Sequence, residues 1–590
     1  MAGTDTSKPD YYLKVVDCQY ACPAHTNVPE YIRLVARKEY TKAYLLNRKS
    51  NVFPGVLGRV CDRPCEPACR RGRLEGEEPV AICRIKRVAA DHKESLAGYF
   101  GPSKKKNAKK VALVGSGPAS LTVANDLLPL GYEVTLYEKD EQLGGAMRRA
   151  VPAFRLPESV LEEEISYIVS MGLKVKTSSP VTHLSSLISD YDAVFVGTGA
   201  PLGRDLPLAG RKEGGENIHV GLFWLSQVSF GHVTKVGRSV VVVGGGNTAM
   251  DCCRTALRLG AEKVTVVAPE AYEKMLASPW EREDAASEGV SFLNHLLPKE
   301  YVVKNGVLEG ISFDPIDRLY DEKGQWSPRR TLEASCEIKC DDVILAIGQN
   351  THFDFIDKSS GIKFHDSGLA AIDPDSFQSS VPKVFFGGDC GFGPKNIITA
   401  VADGHKAAHS IKAFLMGKDV KDHPPWGMSL QSQKMGLSEW SYHNAYSEDS
   451  RFHVPHVPME DRFAGLKTEV ELGYDPKAAL LEAARCLNCD VQTVFTESLC
   501  IECDACVDVC PTDCLTLTAS GSEKEVSLRL KAERLREDQH LYQSLPLKTQ
   551  RSMVKDENVC LHCGLCAEKC PTGAFDTQRF QLEIPYASEP

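Results

Sequence analysis

The stretch that decides the fold is VALVGSGPASLTVANDLLPLGYEVTLYEKDEQLGGAM, residues 111–147. Its first four residues are typical of a buried parallel strand, and Gly115-x-Gly117 then opens an apolar helix that Gly131 can end. A second predicted strand, 134–137, leads to Glu138. The glycines let the backbone approach a pyrophosphate, and the acid can bind a ribose diol. A Gly-x-Gly pair alone also fits a plain helix-start turn, but the complete order of elements predicts a dinucleotide site.

This fingerprint has Ser120 at its third small position, where Gly or Ala is usual. Other residues expected to contact this cofactor follow two later strands. The N-terminus of a helix predicted over 397–415 points to the same cofactor. The complete set predicted for the first nucleotide is Gly115, Gly117, Pro118, Ala119, Glu138, Gly145, Thr198, Gly199, Gly388 and Asp389.

A second strand–turn–helix begins at residue 239 and is inserted within the first. Gly244, Gly246 and Ala249 fit the small positions of the fingerprint. The residues predicted for this second nucleotide are Gly244, Gly246, Asn247, Thr248 and Glu270. Two nucleotide units in one chain predict a flavin, FAD, together with a nicotinamide, NAD(P)H. The adjacent Cys252 and Cys253 cannot face one ligand from a helix, so they are predicted to be core thiols.

Composition sets limits on the class of protein. A chain of 590 residues predicts about four domains. The net charge of −10 argues against nucleic acid or an anionic membrane as partner. Apolar runs stay short of the roughly 18 residues of a membrane span, and the N-terminus lacks an apolar signal core. We therefore expect a cytoplasmic protein without a membrane span.

Cysteine is the unusual component, with 22 residues concentrated towards both ends. Two runs of the form C-x2-C-x2-C-x3-C-P begin at residues 500 and 560. This spacing is typical of two-cluster ferredoxins, in which the fourth cysteine of each run ligates the other cluster. The predicted ligand sets are Cys500, Cys503, Cys506 and Cys570 for one 4Fe-4S cluster, and Cys560, Cys563, Cys566 and Cys510 for the other. Between the runs, Cys514 is predicted to be a passive thiol, and residues 524–543 an inserted helix.

Further cysteines lie in motif-like positions at the N-terminus and just before the ferredoxin runs. Several thiolates on one short segment suit an iron–sulfur cluster, and zinc is the alternative because four cysteines also bind it tetrahedrally. The alternative for the pair near the C-terminus is a loose thiol pair or a zinc site. The eight cysteines are Cys18, Cys22, Cys61, Cys65, Cys69, Cys83, Cys486 and Cys489.

The predicted fold class is α/β. It combines an N-terminal helical Fe-S domain, two Rossmann-like domains for FAD and NAD(P), and a C-terminal α+β ferredoxin domain of bacterial type. The expected limits are 1–100 for the Fe-S domain, 108–225 and 341–420 for the FAD domain, 226–340 for the NAD(P) domain, 421–495 for a connecting segment and 496–590 for the ferredoxin domain.

The chain resembles the flavoprotein family of the glutamate synthase small subunit. That family also includes the larger subunit of NADH-dependent ferredoxin:NADP oxidoreductase and the N-terminal half of dihydropyrimidine dehydrogenase. The resemblance covers about residues 15–415, through the blocks CPAHTNVPEY, GRVC, GSGPAS, AFRLPES, GGGNTAMD, ILAIGQ and GGD. It implies electron transfer between the Fe-S, FAD and nicotinamide domains, with substrate chemistry left to a partner. The remaining length leaves no room for a pyrimidine-reducing barrel.

The resemblance also implies ligand sets, with one departure. The family's RCxxC pair is missing from the N-terminus, and EAARCLNC near the C-terminus resembles it. On the family pattern, Cys22, Cys61, Cys65 and Cys69 would hold one cluster, and Cys18, Cys83, Cys486 and Cys489 another. Four 4Fe-4S clusters would then be present. A second departure is Glu270, which stands where NADPH-preferring members usually have an Arg pair; an acid repels a 2′-phosphate and so favours NADH.

The predicted function is an NAD(P)H oxidoreductase subunit that passes electrons through FAD and 4Fe-4S clusters to or from a protein partner, with no separate catalytic side chain. A 2-oxoacid:ferredoxin-type oxidoreductase, another partner subunit or a ferredoxin would complete a hetero-oligomer. Two alternatives remain: a flavin-based electron-bifurcating subunit, and an electron relay with a vestigial nicotinamide site.

Overall fold

The computed structural model of the chain describes residues 3–73, 76–433, 447, 449–519 and 542–588. Its N-terminal part is helical. The backbones of two of its helices touch, because a Cβ on Gly58 would lie 2.8 Å from the Arg87 Cα atom. The helices are α1 (Pro9–Val15), α2 (Asp17–Ala21), α3 (Val28–Ala36), α4 (Tyr40–Asn51), α5 (Pro54–Val60) and α6 (Ile82–His92).

The strand, turn, helix and strand predicted from residue 111 are present. Gly131, with φ of 84°, adopts the left-handed conformation that ends the helical stretch before the second strand. The elements of this first part are β1 (Lys110–Val114), α7 (Pro118–Leu127), β2 (Glu133–Tyr137), α8 (Ala146–Arg149), α9 (Glu158–Ser170), β3 (Lys174–Lys176), α10 (Leu184–Asp190) and β4 (Ala193–Val196).

The inserted unit also forms a parallel sheet. Its elements in chain order are β5 (Leu202–Gly203), β6 (Ile218–Val220), α11 (Gly221–Ser229), β7 (Ser239–Val243), α12 (Asn247–Arg258), β8 (Lys263–Val267), α13 (Pro279–Ser287), β9 (Ser291–Leu293), β10 (Leu296–Lys304), β11 (Val307–Tyr320), β12 (Trp326–Arg330), β13 (Cys336–Lys339), β14 (Asp342–Leu345) and β15 (Gln349–Asn350). The parallel strands lie in the order β6-β14-β7-β8-β9.

This sheet extends beyond the limits 226–340 predicted for the nicotinamide domain. Strand β14 pairs with β7 on one side and β6 on the other, so both belong to this unit. The apolar sequences of β6 and β14 do not distinguish them from the strands of the flavin domain. Only their pairing assigns them to the nicotinamide unit. Strands β10, β11 and β12 form a separate antiparallel sheet, in which β13 also pairs with β11.

The chain then returns to the first sheet through β16 (Val384–Phe386), α14 (Asp389–Phe392) and α15 (Ile397–Leu415). The strand order of that sheet is β16-β4-β1-β2-β3. Helix α15 has the bounds that the sequence predicts.

The C-terminal part is α+β. Its elements are β17 (Gly427–Ser432), α16 (Met459–Arg462), α17 (Pro476–Ala483), β18 (Val491–Phe495), α18 (Ala505–Asp508), β19 (Leu515–Thr518), β20 (Tyr542–Gln543), β21 (Ser552–Lys555), α19 (Leu565–Lys569) and β22 (Phe575–Glu583). Its sheets have the orders β17-β22-β18 and β19-β21-β20. The segment 421–495, expected to be only a connection, thus supplies two strands to a sheet of the ferredoxin part. The helix predicted over 524–543 lies outside the described residues, apart from its last two residues, which form β20.

One buried carboxylate joins the helical part to the flavin part. Glu164 on α9 accepts hydrogen bonds from the backbone N–H groups of Gly55 (2.7 Å) and Val56 (3.0 Å) at the start of α5. The Tyr44 hydroxyl donates to the same carboxylate at 2.9 Å. An acid at the N-terminus of a helix satisfies donors that the helix leaves unpaired. Among the described residues, no helix is both long and apolar enough to cross a bilayer.

Candidate functional site: two nucleotide turns and four thiol groups

Three glycines bring the first nucleotide turn together. A Cβ on Gly115, whose φ is 90°, would lie 2.7 Å from the Gly197 carbonyl oxygen and 3.1 Å from the Thr198 Cα atom. A Cβ on Gly145 would lie 2.9 Å from the Gly117 Cα atom. The backbone therefore forms a concave turn at the start of α7, where Pro118 occupies the first helical turn. Space for a pyrophosphate remains, because a Cβ on Gly199 would meet nothing within 4 Å.

The departure at Ser120 has a packing reason. A Cβ on Gly197 would lie 2.2 Å from the Ser120 Oγ atom, so this hydroxyl occupies the space that a side chain at 197 would need. A small residue is required at position 120, and serine meets that requirement.

Glu138 lies at the end of β2 beside the turn and is 5% exposed. Its carboxylate accepts hydrogen bonds from the Ser116 backbone N–H (2.9 Å), from the Ser116 hydroxyl and from the Asp140 N–H (3.0 Å). The acid is thus fixed next to the pyrophosphate turn, and its oxygens have lone pairs left for a ribose diol. This arrangement fits an adenine dinucleotide.

The returning segment closes the same site. A Cβ on Gly388 would lie 3.3 Å from the Ala119 Cβ atom, which brings the GGD block against α7. Asp389 begins α14 and accepts a hydrogen bond from the Lys395 N–H at 3.0 Å; burial raises its pKa to about 6. Helix α15 is capped by Asn396, so two helix N-termini meet at the predicted flavin site.

The second turn repeats the first with one difference. A Cβ on Gly244, whose φ is 133°, would lie 2.2 Å from the Ala346 carbonyl oxygen. Gly246 borders open space before α12. The first residues of α12 are Asn247 and Thr248. At the end of β8, the Glu270 carboxylate lies 3.1 Å from the position of a Cβ on Gly245. Its buried Oε2 atom has no hydrogen-bond partner among the described residues. An acceptor in that position fits a ribose diol.

No motif in the sequence indicates that Asp62 joins the two turns. The Asn247 amide of the nicotinamide unit donates to the Asp62 carboxylate at 3.3 Å. A hydrogen bond from Asn396, the cap of α15, opposes the rise that burial causes in the pKa of Asp62. The neighbouring Arg63 guanidinium lies 4.0 Å above the Trp280 ring of the nicotinamide unit. The loop that follows Cys61 therefore contacts both nucleotide units.

The N-terminal cysteines form two groups. Site A consists of Cys22, Cys61, Cys65 and Cys83, all of them buried. The Cys83 thiol lies close enough to those of Cys61 and Cys65 to raise the pKa of both. The ammonium of buried Lys86, one turn along α6, faces this group; although burial opposes its charge, these thiols raise its pKa.

Site B consists of Cys18, Cys69, Cys486 and Cys489, which line one cavity together with Pro29, Ile32 and Leu487. The family pattern placed Cys69 in the first group and Cys83 in the second, so the structure exchanges these two residues. The reason is the contact between α5 and α6, which sets Cys83 beside Cys61, whereas the turn after Cys65 directs Cys69 towards Cys486. The displaced CxxC pair does join Cys18, as expected.

The ferredoxin runs bring together the eight cysteines in the expected sets. Site C consists of Cys510, Cys560, Cys563 and Cys566, and site D of Cys500, Cys503, Cys506 and Cys570; each set lines one cavity. Cys514 also lines the cavity of site C, with its Sγ atom 3.4 Å from that of Cys510. The sequence predicts a passive thiol at Cys514 rather than a ligand. Cys252 and Cys253 are fully buried, as expected for core thiols, and Cys390 is fully buried as well.

All 22 cysteines are free thiols. Four soft ligands around one small cavity fit a 4Fe-4S cluster, which is held by Cys thiolates. Two buried cations also fit, Lys86 beside site A and Arg70 beside site B, because a cluster with four thiolates is anionic.

Comparisons with known proteins agree with this architecture. The family model "Pyridine nucleotide-disulphide oxidoreductase" matches residues 109–404. The 4Fe-4S model of dihydropyrimidine dehydrogenase domain II matches residues 12–97, and a 4Fe-4S dicluster model matches residues 499–574. The fold and these matches define the chain as a flavin- and iron–sulfur-containing NAD(P)-dependent oxidoreductase, with FAD, NAD(P) and 4Fe-4S clusters as cofactors. It belongs to the pyridine nucleotide-disulphide oxidoreductase family.

The relatives name both coenzymes. The chain is 32% identical over 505 residues to the NADP(+)-dependent formate dehydrogenase subunit beta of Moorella thermoacetica, covering 80% of this chain and 70% of that one. It is 34% identical over 405 residues to the NAD-dependent dihydropyrimidine dehydrogenase subunit PreT homolog of Salmonella typhi, covering 68% and 91%. Solved structures include FprA from Mycobacterium tuberculosis, at 18% identity and a TM-score of 0.46 over 53% of this chain and 85% of that one. The family models together with the formate dehydrogenase and PreT relatives support a flavin and Fe-S oxidoreductase subunit in general, not glutamate synthase in particular.

The close approach at Gly115 predicts that Gly115→Ala yields protein without bound FAD. The added methyl group would collide with the Gly197 carbonyl and open the turn. Flavin released per chain on denaturation measures this. Gly172→Ala is the matched control, because Gly172 has a similar φ of 100° but its nearest neighbour would be 3.6 Å away. Equal flavin loss in both variants would show that left-handed strain, about 1–2 kcal/mol, explains the effect.

The exchange of Cys69 and Cys83 predicts which variants share a phenotype. In reconstituted protein, Cys83→Ser should remove the same cluster signal in electron paramagnetic resonance as Cys61→Ser. Cys69→Ser should remove the signal lost in Cys486→Ser. If Cys83→Ser instead behaves like Cys486→Ser, the pairing of the family pattern is right and the cavities described above are not the ligand sets.

Proposed function

We propose that this chain is the subunit of a hetero-oligomer through which electrons pass between NAD(P)H and a protein partner, by way of FAD and four 4Fe-4S clusters. The observation that carries the proposal is the contact of the Cys61–Asp62 loop with both nucleotide units. It sets site A beside the flavin turn, so that a one-electron carrier is next to the place where the hydride arrives.

The chemistry assigns each part a task. FAD, when bound, accepts the two electrons of a hydride and passes them on singly, which is the step that links nicotinamide to Fe-S chemistry. The residues described above bind and orient the two nucleotides and exclude water from the turn. Asn247 and Asn396 both reach Asp62, which fixes the nicotinamide unit and α15 relative to site A.

Site D is the proposed exit. Cys503 is exposed, and its neighbour Ile501 is 58% exposed, whereas Cys560 and Cys566 of site C are buried. An exposed apolar rim around a surface thiol site suits transient docking of a redox protein. A 2-oxoacid:ferredoxin-type oxidoreductase, another low-potential reductase or a ferredoxin would receive or supply the electrons.

The choice of coenzyme rests on Glu270. Its unpartnered oxygen can accept hydrogen bonds from a free ribose diol and would repel a 2′-phosphate. We therefore infer that NADH is the better substrate. Relatives with either coenzyme in their names are compatible with this choice, because one side chain at the strand end can reverse it.

The function predicts that NADH bleaches the flavin of anaerobically reconstituted protein and that Fe-S clusters are then reduced. Iron analysis should give about sixteen atoms per chain, four for each cluster. Stopped-flow absorbance follows the flavin, and electron paramagnetic resonance follows the clusters. A flavin that neither coenzyme bleaches would favour the relay with a vestigial nicotinamide site.

The coenzyme preference predicts faster flavin reduction by NADH than by NADPH at equal concentration. Glu270→Arg should reverse the order, by about tenfold or more in kcat/KM, which corresponds to ~1.4 kcal/mol. Glu273→Arg is the control, since this exposed acid lies three residues further on. Faster reduction by NADPH in the unaltered chain would contradict the assignment of Glu270.

A further inference from the structure

A buried cation, Arg70, lies at the interface between the N-terminal helices and the ferredoxin part and is 2% exposed. It directly follows Cys69 and lines the cavity of site B. Its Nη1 atom donates to the Cys560 carbonyl oxygen at 2.9 Å and also to the Glu557 carbonyl oxygen. One guanidinium thus touches the peptide of a ligand residue in site C while it lies at the wall of site B.

The remaining donors of Arg70 are anchored on the N-terminal side. Its Nε and Nη2 atoms donate to the Asp17 carboxylate at 3.1 and 2.8 Å, and Nη2 also donates to the Val15 carbonyl oxygen at 3.2 Å. Asp17 is 1% exposed, so the ion pair is dry. Because a planar guanidinium bonded on both sides cannot rotate, its charge has a fixed position between the two sites.

The backbone also joins site B to the ferredoxin part. Strand β18 begins two residues after Cys489 and lies in the sheet of β22, and the Phe580 N–H donates to the Asp490 carbonyl oxygen at 2.7 Å.

We propose that Arg70 is shared by sites B and C, sets their reduction potentials together, and marks the point where electrons cross from the N-terminal domain into the ferredoxin domain. This inference rests on the proposed function. Each crossing moves one electron: site B is oxidised, site C is reduced, and no bond or proton is transferred. Since Arg70 faces both sites, its attraction to the electron is similar before and after the crossing.

The shared position makes a specific prediction. Loss of the positive charge destabilises the extra electron at either site, so both midpoint potentials should fall while the gap between them stays nearly constant. A side chain that only held the fold would not move two potentials together. A cation that served one site would change the gap.

The test is a potentiometric titration of the full chain with all its clusters, monitored by electron paramagnetic resonance. The variants Cys486→Ser and Cys563→Ser assign the signals to sites B and C. Arg70→Gln should lower both potentials by at least a tenfold change in the reduced fraction, about 59 mV for one electron, with a smaller change in the gap. Arg73→Gln is the matched control, because Arg73 also bonds Asp17, whereas the hydrogen bond observed to the Cys560 carbonyl comes from Arg70. Arg73→Gln should shift both potentials by less than a tenfold change in the reduced fraction.

Asp17→Asn keeps Arg70 and removes its counter-charge, so both potentials should rise. This variant decides the matter if Arg70→Gln does not retain iron. The proposal is wrong if only one potential moves, if neither does, or if Arg73→Gln gives the same joint shift. Iron content and flavin bleaching of the unaltered chain test the proposed function separately, so unmoved potentials in a loaded, reducible protein would refute this inference alone.

Discussion

The cavity of site B can form only when both ends of the chain meet, because Cys18 and Cys489 line it together. A single metal cluster held by such distant residues has to close a very long loop, and contacts elsewhere must offset that loss of chain entropy. Arg33 contributes by donating to the Asp490 carboxylate at 2.9 Å, and Arg71 by donating to the Arg485 carbonyl oxygen at 3.1 Å.

Buried charge is the second constraint on the molecule. Thiolate ligands bring negative charge into a dry interior, which is costly unless cations accompany it. Lys86 stands beside site A and Arg70 beside site B, both almost fully buried. These cations therefore allow the clusters to lie deep in the protein, while site D remains near the surface.

The two nucleotide turns show how a similar local sequence can serve different ligands. In the flavin unit, Ser116 donates twice to Glu138 and fixes the acid in place. In the nicotinamide unit, Gly245 has no side chain to donate, and the Glu270 oxygen is left without a partner among the described residues. A difference of one residue within the turn thus changes whether the strand-end acid is already held or awaits its ligand.

The sequence by itself determined the two nucleotide turns, the α/β class and the ferredoxin runs, because each depends on short spacings that local geometry imposes. The roles of Gly115, Gly131 and the C-x2-C-x2-C-x3-C-P runs can be inferred from the few residues around each of them. The tertiary structure alone decided that Cys69 joins Cys486 and that Cys83 joins Cys61, since this depends on how α5 packs on α6. It also decided that β6 and β14 belong to the nicotinamide sheet, and that Asp62 and Arg70 lie between sites. Such partners are brought together by packing between remote segments, and no periodicity or spacing in the chain encodes which buried strand or thiol faces which.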